Sequence, residues 1–176
     1  MKYKKVVLDF ETTGVEYEDE ILQVTVINQD GNVLINEHCK PTFKISWEEA
    51  QRINNITPEM VKDKKPFETY VDQLSEIFLN AEQIIIYNVP FELMFLKKYK
   101  VKYEEENKVY EIPRFYDLMI EFAEVYGDWN EKYDCYKWQS LITCAAYYGY
   151  QFDNAHDALA DCRATLYCLN RLINNK

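Results

Sequence analysis

The sequence predicts an α/β fold in which a central mixed five-stranded sheet has helices on both sides. Two observations lead to this prediction. Strands come first as hairpin-like pairs separated by the turn signal Asp30-Gly31, whereas later segments alternate between strand and helix. The length of 176 residues, with 48% hydrophobic residues, suffices for one domain with a proper core, and we assign residues 1–176 to a single domain.

The first strands are predicted from short β-branched runs. Residues 5–10 form an apolar run of the kind that is buried on both faces of a sheet. Residues 21–27 and 33–35 read as two further strands. Because a tight turn separates these two, the three strands are expected to form an antiparallel meander.

The segment that follows the meander is predicted to be helical. Ser46 is expected to cap a helix that continues through Ile53. Thr57 is expected to cap a second helix, with Pro58 in its first position, where a helix needs no backbone N–H.

The second half of the chain is predicted to supply strand–helix units. Apolar residues at helical spacing indicate an amphipathic helix over residues 66–80, and residues 84–86 read as a buried strand. Pro90 is expected to open the helix after it. The remaining predictions are a weaker strand over 112–116, a helix capped by Asp117, a loop over 127–136 and two helices over 138–148 and 157–173.

The composition limits the possible partners. A net charge of −10 excludes a protein that grips long duplexes by bulk electrostatics, since nucleic-acid binders usually carry a basic footprint. Two explanations of the charge stay open. Part of it forms a carboxylate cluster that bound metal neutralises, or the partner is a short or single-stranded end held by base stacking.

The compartment is expected to be the cytoplasm. No stretch approaches the ~20 apolar residues of a membrane span, so no membrane partner is expected. The chain runs from Met1 directly into its first strand, without a separate apolar signal region. Five cysteines without a Cys-x-x-Cys pair favour reduced thiols and argue against zinc.

Asp9 and Glu11 are the first candidate functional pair. They are two residues apart on a predicted strand, so both side chains leave the same face, while Phe10 points into the core. Two carboxylates on one face repel each other, and a hard cation between them removes that repulsion. A solvent-facing acidic pair is the alternative that this short motif alone leaves open.

His156 and Asp161 are the second candidate pair, at the start of the last predicted helix. His156 can swing away from the helix while Asp161 points inward, and an imidazole is suited to take a proton from a metal-bound water. Asp157 between them favours a helix cap. The other histidine, His38, is interpreted as a bystander without an acidic neighbour.

Three segments, in this order, resemble the motifs of the DEDDh branch of the DnaQ-like 3′–5′ exonucleases. Asp9-Phe10-Glu11-Thr12-Thr13-Gly14 matches the first motif closely. The segment Ile53 to Val61 is similar to the family's central helix junction, and Ala155 to Asp161 matches the last motif. The resemblance covers nearly the whole chain and implies the ribonuclease H-like form of the α/β fold.

The resemblance implies a metal-dependent 3′–5′ exonuclease that removes nucleotides from single-stranded DNA or RNA. Its implied metal ligands are Asp9, Glu11, Glu92 and Asp161, with His156 as the general base. Two ions ~3.5–4 Å apart are expected to act on the phosphodiester. Mg²⁺ or Mn²⁺ suits such an all-carboxylate site.

Two positions depart from the family pattern. The middle motif is typically His-Asn-x-x-Phe-Asp, whereas this chain has Tyr87-Asn88-Val89-Pro90-Phe91-Glu92. Glu92 keeps the charge of the expected Asp but adds a methylene and a rotatable bond. Gln23 stands where the family often carries Glu, and this departure is expected to affect only a supporting contact.

Substrate contacts are assigned to residues beside these motifs. Tyr17 and Phe91 are candidates for stacking on a terminal base. Thr12 and Thr13 in the turn of the first motif, and Asn88 in the middle motif, are assigned to substrate binding.

Two other functions stay open on the sequence. One is a catalytically weak module that binds nucleic-acid ends or associates with a DNA polymerase, which the Glu92 departure and the acidic charge would suit. The other is an oligoribonuclease-like enzyme for short RNA, which would explain the acidic surface.

Overall fold

A ten-residue strand, β1 (Tyr3–Thr12), lies at the centre of the main sheet, because apolar side chains such as Val6 and Val7 can be buried on both of its faces. The computed structural model describes residues 3–106, 108, 112–152 and 156–174. The other strands of this sheet are β2 (Ile21–Asn28), β3 (Val33–His38), β4 (Ala81–Ile86) and β5 (Phe115–Asp117).

The sheet is mixed, with the strand order β3-β2-β1-β4-β5. Its first three strands are antiparallel, whereas β4 is parallel to both β1 and β5. The β2–β3 turn is closed by a hydrogen bond from Gly31 N–H to Asn28 O (3.0 Å), with Gly31 at φ +82°. The predicted five-stranded mixed sheet is therefore confirmed.

Helices cover both faces of the sheet and one end of it. They are α1 (Glu48–Asn54), α2 (Pro58–Val61), α3 (Val71–Leu79), α4 (Val89–Lys98), α5 (Leu118–Tyr126), α6 (Leu141–Tyr147) and α7 (Ala158–Asn174). A 3-10 turn, Phe67–Tyr70, precedes α3. Within the described residues no helix has the length and apolar character needed to cross a membrane.

The two faces of β1 belong to two different cores. Val6, Leu8 and Phe10 pack with α3 and α4, where Phe10 contacts Phe67 and Phe95 edge to face. Val7 packs on the opposite face with α5, α6 and α7. Since side chains alternate along a strand, Asp9 shares the face of Val7. The predicted inward position of Phe10 is confirmed.

Several predicted boundaries are corrected by the structure. Ser46 does not cap α1: the residue before the helix is Trp47, whose indole instead donates to Ile56 O (2.7 Å). The predicted helix over 66–80 begins as the 3-10 turn. The predicted loop over 127–136 contains a two-stranded hairpin, β6 (Trp129–Asn130) and β7 (Cys135–Tyr136).

Two other elements are shorter than predicted. The strand expected over 112–116 comprises only Phe115–Asp117, and residues 109–111 lie outside the described residues. The helix expected over 138–148 begins at Leu141, because the Ser140 hydroxyl accepts the Thr143 N–H. The caps at Thr57 and Asp117 are confirmed by their hydrogen bonds to helix N–H groups.

Glu20 anchors the loop that leads to α1. Its buried carboxylate accepts hydrogen bonds from the N–H groups of Thr42 (2.7 Å), Phe43 (2.9 Å) and Lys44 (2.8 Å), and from the Thr42 hydroxyl (2.8 Å). Burial alone would raise the pKa of Glu20, but these donors hold it below its usual value. The side chains of Phe43 and Ile45 nevertheless point into solvent.

Arg114 joins the far end of the sheet to its surroundings. Its guanidinium is buried and donates to the backbone carbonyls of Phe78 (2.6 Å), Ala81 (2.7 Å), Glu82 (2.9 Å) and Tyr103 (2.8 Å). Because these carbonyls lie at the end of α3, at the start of β4 and in the loop after α4, one side chain holds three segments together.

Candidate active site

Asp9 and Glu11 lie at the carboxyl-terminal end of β1, where the strand leaves the sheet. Their side chains share one face, and the β1–β2 register shifts between Glu11 and Thr12. The turn beyond is fixed by Asp19, which accepts hydrogen bonds from the Thr13 hydroxyl (2.9 Å) and the Lys44 ammonium (2.9 Å). The acidic pair is therefore held on a rigid strand end.

Gly14 keeps this turn close to Asp19. A Cβ on Gly14 would overlap the Asp19 carboxyl group, so a larger residue would displace that carboxylate. Because Asp19 also binds Thr13, the displacement would reach the first motif. The glycine is needed here for close approach rather than for an unusual backbone angle.

Asp161, from the first turn of α7, completes a cluster with Asp9 and Glu11. One carboxylate oxygen of each lies within 4.8 Å of the others, a separation at which one cation could contact all three. Desolvation, followed by the negative charge of Asp161, raises the pKa of Glu11 to about 8. Desolvation, followed by the charge of Asp157, raises the pKa of Asp161 to about 7.

Asp9 lies in the middle of this negative charge. Its pKa is raised well above the usual value, first by desolvation and then by the charges of Asp161, Glu92 and Glu11. The groups that repel Asp9 are thus the three other predicted ligands, together with Asp157. In the absence of a cation the cluster is destabilising when ionised.

Glu92 is the fourth acidic residue at the site, and it is buried (3% exposed). Its Oε2 has no hydrogen-bond partner among the described residues. Desolvation, and then the negative charges of Asp117 and Glu11, raise the pKa of Glu92 well above its usual value. A backbone hydrogen bond opposes this rise. A buried, unpaired carboxylate oxygen is costly in a protein and is explained by an ion or a proton.

The start of α4 brings Glu92 to this position. Asn88, at φ +81°, turns the chain from β4 into the helix. The Asp117 carboxylate accepts the N–H groups of Asn88 (3.3 Å) and Val89 (2.8 Å), and it also accepts the N–H of Met119 (3.0 Å) as the cap of α5. The Asp117 carboxylate therefore fixes the chain at the ends of the parallel strands β4 and β5.

His156 lies at the solvent-exposed rim of the site. Its backbone is in the left-handed region (φ +67°), and its N–H donates to Asp161 Oδ1 (3.2 Å). Ala155 of the predicted last motif lies outside the described residues. The structure thus places the backbone of His156 in direct contact with a cluster carboxylate, with its side chain exposed.

Asp157 caps α7, as the sequence favoured. Its Oδ1 accepts the N–H groups of Leu159 (3.1 Å) and Ala160 (3.1 Å). Its Oδ2 accepts a hydrogen bond from Gln23 Nε2 (3.4 Å). The supporting contact expected of Gln23 is therefore present.

Asn54 contributes to the site and was not singled out from the sequence. Its side-chain N–H donates to Thr12 O (3.1 Å), and a hydrogen bond from the Asn54 side chain opposes the rise of the Glu11 pKa. Its oxygen accepts the Ile56 N–H (3.0 Å). The signal that could have identified it is its place in the central motif, at the end of α1.

A cavity of about 690 Å³ adjoins the carboxylates, a volume within the usual range for small-molecule sites. Glu11, Thr12 and Thr13 form one wall of it, and Phe91 lines it from α4. Its opposite wall comes from the α1 region, through the apolar side chains of Trp47, Ala50 and Ile53 and the polar ones of Ser46, Glu48, Glu49 and Asn54.

The other two predicted substrate contacts lie elsewhere. Asn88 is half-buried in the turn before α4 and is not among the residues that line the cavity. Tyr17 is exposed, and the Lys98 ammonium lies 5.7 Å from the centre of its ring. Neither residue therefore shares the cavity wall with Phe91.

His38 is not isolated from acidic groups, which corrects its interpretation. It pairs across the sheet with Gln23, which in turn pairs with Glu11, so the three residues form a row on one face. Burial, followed by the charge of Lys64, lowers the pKa of His38, while Asp157 and Glu37 oppose this shift.

Comparisons with known proteins agree with this geometry. The model of the RNase T exonuclease family matches residues 6–169. The exonuclease CP81 of Escherichia phage 186 is 30% identical over 172 residues, which cover 96% of this chain and 87% of that protein. The DNA polymerase III epsilon subunit of Rickettsia conorii is 34% identical over 100 residues, covering 53% of this chain and 42% of the subunit.

Solved structures share the fold at lower sequence identity. Escherichia coli exonuclease I, in a zinc-bound complex with single-stranded DNA, superimposes with a TM-score of 0.75 at 21% identity, over 99% of this chain and 41% of that one. Exonuclease X in complex with 5′ overhanging duplex DNA gives 0.63 at 19% identity, over 98% and 92%. From the family match over residues 6–169, the chain belongs to the DnaQ-like, RNase T-type exonuclease family.

Proposed function

We propose that this chain is a divalent-metal-dependent 3′–5′ exonuclease acting on single-stranded DNA. The observation that carries the proposal is the convergence of Asp9, Glu11 and Asp161 within 4.8 Å, beside the buried and unpaired Oε2 of Glu92. The resemblance of the three motifs to those of 3′–5′ exonucleases supports this polarity. DNA is favoured over RNA because exonuclease I and exonuclease X are both described in complex with DNA.

The donor set fits hard divalent cations. Carboxylate oxygens suit Mg²⁺ or Mn²⁺, and no described cysteine is among the grouped donors. The mutual repulsion that raises the pKa values of Asp9 and Glu11 would be relieved by positive charge at their centre. Two such ions, when bound, would polarise the phosphodiester, lower the pKa of a water and stabilise the leaving oxygen.

The four carboxylates would hold the ions in this scheme. Asp9 and Glu11 would supply ligands from β1, and Asp161 from α7, which packs on that face of the sheet. Glu92 would supply its unpaired oxygen from α4, across the sheet end. Because Glu is one methylene longer than the Asp of the usual motif, its carboxylate would extend farther from α4, and the ions would accept either side chain.

His156 would serve as the general base. Its exposed side chain lies at the rim, and its backbone contact to Asp161 keeps it next to the cluster. From there it could take the proton of the attacking water and release it to solvent. In this role it needs no bond to a metal ion.

The cavity between the first motif and α1 would hold the terminal nucleotide. Its apolar walls, with Phe91 beside Glu11, can contact a base face, while Thr12 and Thr13 offer polar groups near the phosphate. The acidic chain would thus rely on stacking and bound cations rather than on a basic surface.

A labelled single strand tests the proposal. A 5′-labelled DNA oligonucleotide should be shortened stepwise with Mg²⁺ or Mn²⁺, and not in excess chelator. A 3′-phosphorothioate terminal linkage should slow the reaction, and an RNA of the same sequence should be degraded more slowly.

The assay also separates the other functions. A binding module would shift the oligonucleotide in a gel without shortening it, even with Mn²⁺. Faster degradation of short RNA than of DNA would instead identify an oligoribonuclease-like enzyme. Association with a polymerase is a further possibility that the epsilon-subunit similarity raises, and co-purification with a polymerase would test it.

A further inference from the structure

Gln23 connects the sheet to the start of α7 through both ends of its side-chain amide. Its Oε1 accepts the Ala158 N–H (3.3 Å), and its Nε2 donates to Asp157 Oδ2 (3.4 Å) and to Asn36 Oδ1 (3.1 Å). The residue is 2% exposed, so water does not substitute easily for these partners. No other described side chain donates a hydrogen bond to Oδ2 of Asp157.

The two contacts act on the same turn of helix. Asp157 Oδ1 caps the N–H groups of Leu159 and Ala160, so that its Oδ2 is left for Gln23. The Asp161 N–H donates to Asp157 O (2.9 Å), which makes the first bond of the helix ladder. The position of Asp161, and through it that of the His156 backbone, therefore depends on this turn.

We propose that Gln23 is a positioning residue, whose neutral amide fixes the first turn of α7 so that Asp161 and His156 face Asp9 and Glu11. An amide is required because one end must accept from Ala158 while the other donates to Asp157. A carboxylate, which the family often has here, can accept from Ala158 but cannot donate to Asp157. In this chain Gln23 and Asp157 therefore form a matched pair.

The proposal predicts a reversal of hydrogen-bond polarity. Gln23→Glu should break the pair, since two carboxylates would then face each other. Adding Asp157→Asn should restore it, because the new amide at position 157 can donate to the new carboxylate while its oxygen still caps α7. Asp157→Asn alone should also break the pair, because the oxygen at position 157 still caps α7 and its amide nitrogen would then face the Nε2 donor of Gln23.

Hydrogen exchange in the metal-free protein gives a readout that does not depend on activity. In Gln23→Glu the amides of Ala158, Leu159 and Ala160 should exchange about fivefold faster, as for the loss of one hydrogen bond. The double variant should return to wild-type exchange. Gln23→Leu, which lacks any polar group, should also exchange faster, and Asp157→Asn should not rescue it.

Kinetics test the consequence for catalysis and rest on the function proposed above. Gln23→Glu should lower kcat at least about tenfold, in line with the sensitivity of catalysis to displacements on the order of 1 Å, while KM stays within about twofold. The double variant should recover kcat. Thr25→Val is the matched control, because Thr25 is equally buried and its hydroxyl bonds Asn36 (2.9 Å). Its hydrogen bond with α7, from Cys162 Sγ (3.6 Å), is to the backbone carbonyl, which the substitution keeps.

The outcomes are separable. Wild-type exchange and wild-type kcat in Gln23→Glu would overturn the proposal, as would a double variant no better than Gln23→Glu. A drop in kcat with Thr25→Val as large as with Gln23→Glu would reduce Gln23 to a general stabilising residue and also overturn it. If the wild type shows no nuclease activity, the proposed function fails, while the exchange data still decide the role of Gln23.

Discussion

The two halves of the candidate site are built differently. Asp9, Glu11 and Glu92 sit on a central strand and a buried helix start, where packing and several hydrogen bonds fix the backbone. His156 lies in an exposed left-handed position, in contact with the cluster through one backbone hydrogen bond. In the function proposed above, this difference would keep the cation ligands pre-organised and leave the proton acceptor accessible to solvent.

The largest expected effect concerns the rigid half of the candidate site, which comprises Asp9, Glu11 and Glu92. Asp9→Asn removes a ligand from the centre of the cluster, so we expect 3′–5′ degradation to fall to the level seen in chelator. The variant should fold normally, because the substitution also removes a repelled charge. Digestion of labelled DNA and the melting temperature check both points. Asp30→Asn, in the exposed β2–β3 turn, is the control.

Substitution of His156, in the exposed half of the candidate site, should lower activity without affecting metal binding. His156→Ala should lower turnover by ~10²–10⁴-fold, the usual contribution of a general base. The rise in melting temperature caused by Mn²⁺ should remain, since His156 is not assigned as a ligand. Loss of that rise in His156→Ala would contradict the division between the two halves.

Glu92 tests whether the ligand set includes four carboxylates. Glu92→Gln keeps the volume but weakens metal binding, so activity should fall severely, while Glu92→Asp should retain activity. In the metal-free protein Glu92→Gln should raise stability by about 1 kcal/mol, or roughly 3 °C, because a buried unpaired carboxylate is removed. Asp72→Asn, an exposed acid in the first turn of α3, is the matched control. Full activity of Glu92→Gln would leave only three ligands.

A smaller effect is expected in the cavity. Phe91→Leu keeps the apolar packing against Phe95 (ring centres 5.3 Å apart) but removes the aromatic face beside Glu11. Losing one base-stacking contact costs about 1–3 kcal/mol, so KM should rise about fivefold or more, with kcat nearly unchanged. Tyr17→Leu should change KM less, because Tyr17 lies outside the cavity lining. Equal effects of the two variants would contradict this placement.

The smallest effect is a pH dependence of the metal-free protein. The folded-state pKa of Glu11 is about 8, above its value in the unfolded chain, so the folded state binds more protons between about pH 4.5 and pH 8. Stability should therefore fall as the pH rises through this window. Melting temperatures at pH 5.5 and pH 8 should differ by a few degrees more in the wild type than in Glu11→Gln. An identical slope in both would show that the pKa of Glu11 is not raised in the folded protein.

Much of the rigid half could be predicted from the sequence. The position of Asp9 and Glu11 on one face follows from strand periodicity, and the burial of Phe10 follows from the same rule. The cap at Thr57 and the opening of α4 near Pro90 follow from local turn chemistry. These features depend on residues close together in the chain.

Features that depend on residues distant in the chain were harder to predict from the sequence. Ser46 has the right chemistry for a cap, but α1 begins after Trp47, whose indole is fixed by Ile56 and by the core around Leu22. The pKa of His38 is affected by Lys64 and by Asp157, the latter more than a hundred residues away in the chain, and no local pattern indicates either influence. The role of Asn54 likewise arises only when α1 folds back onto Thr12.

The bonding of Glu20 has a consequence for engineering. Its partners are three backbone N–H groups and one hydroxyl, so the loop conformation at residues 42–44 depends on the peptide bonds rather than on the side chains of Phe43 and Ile45. Those two exposed positions should accept almost any residue without a change in melting temperature. They form a display site on the loop that leads to α1, where new binding groups could be introduced while Glu20 keeps the loop in place.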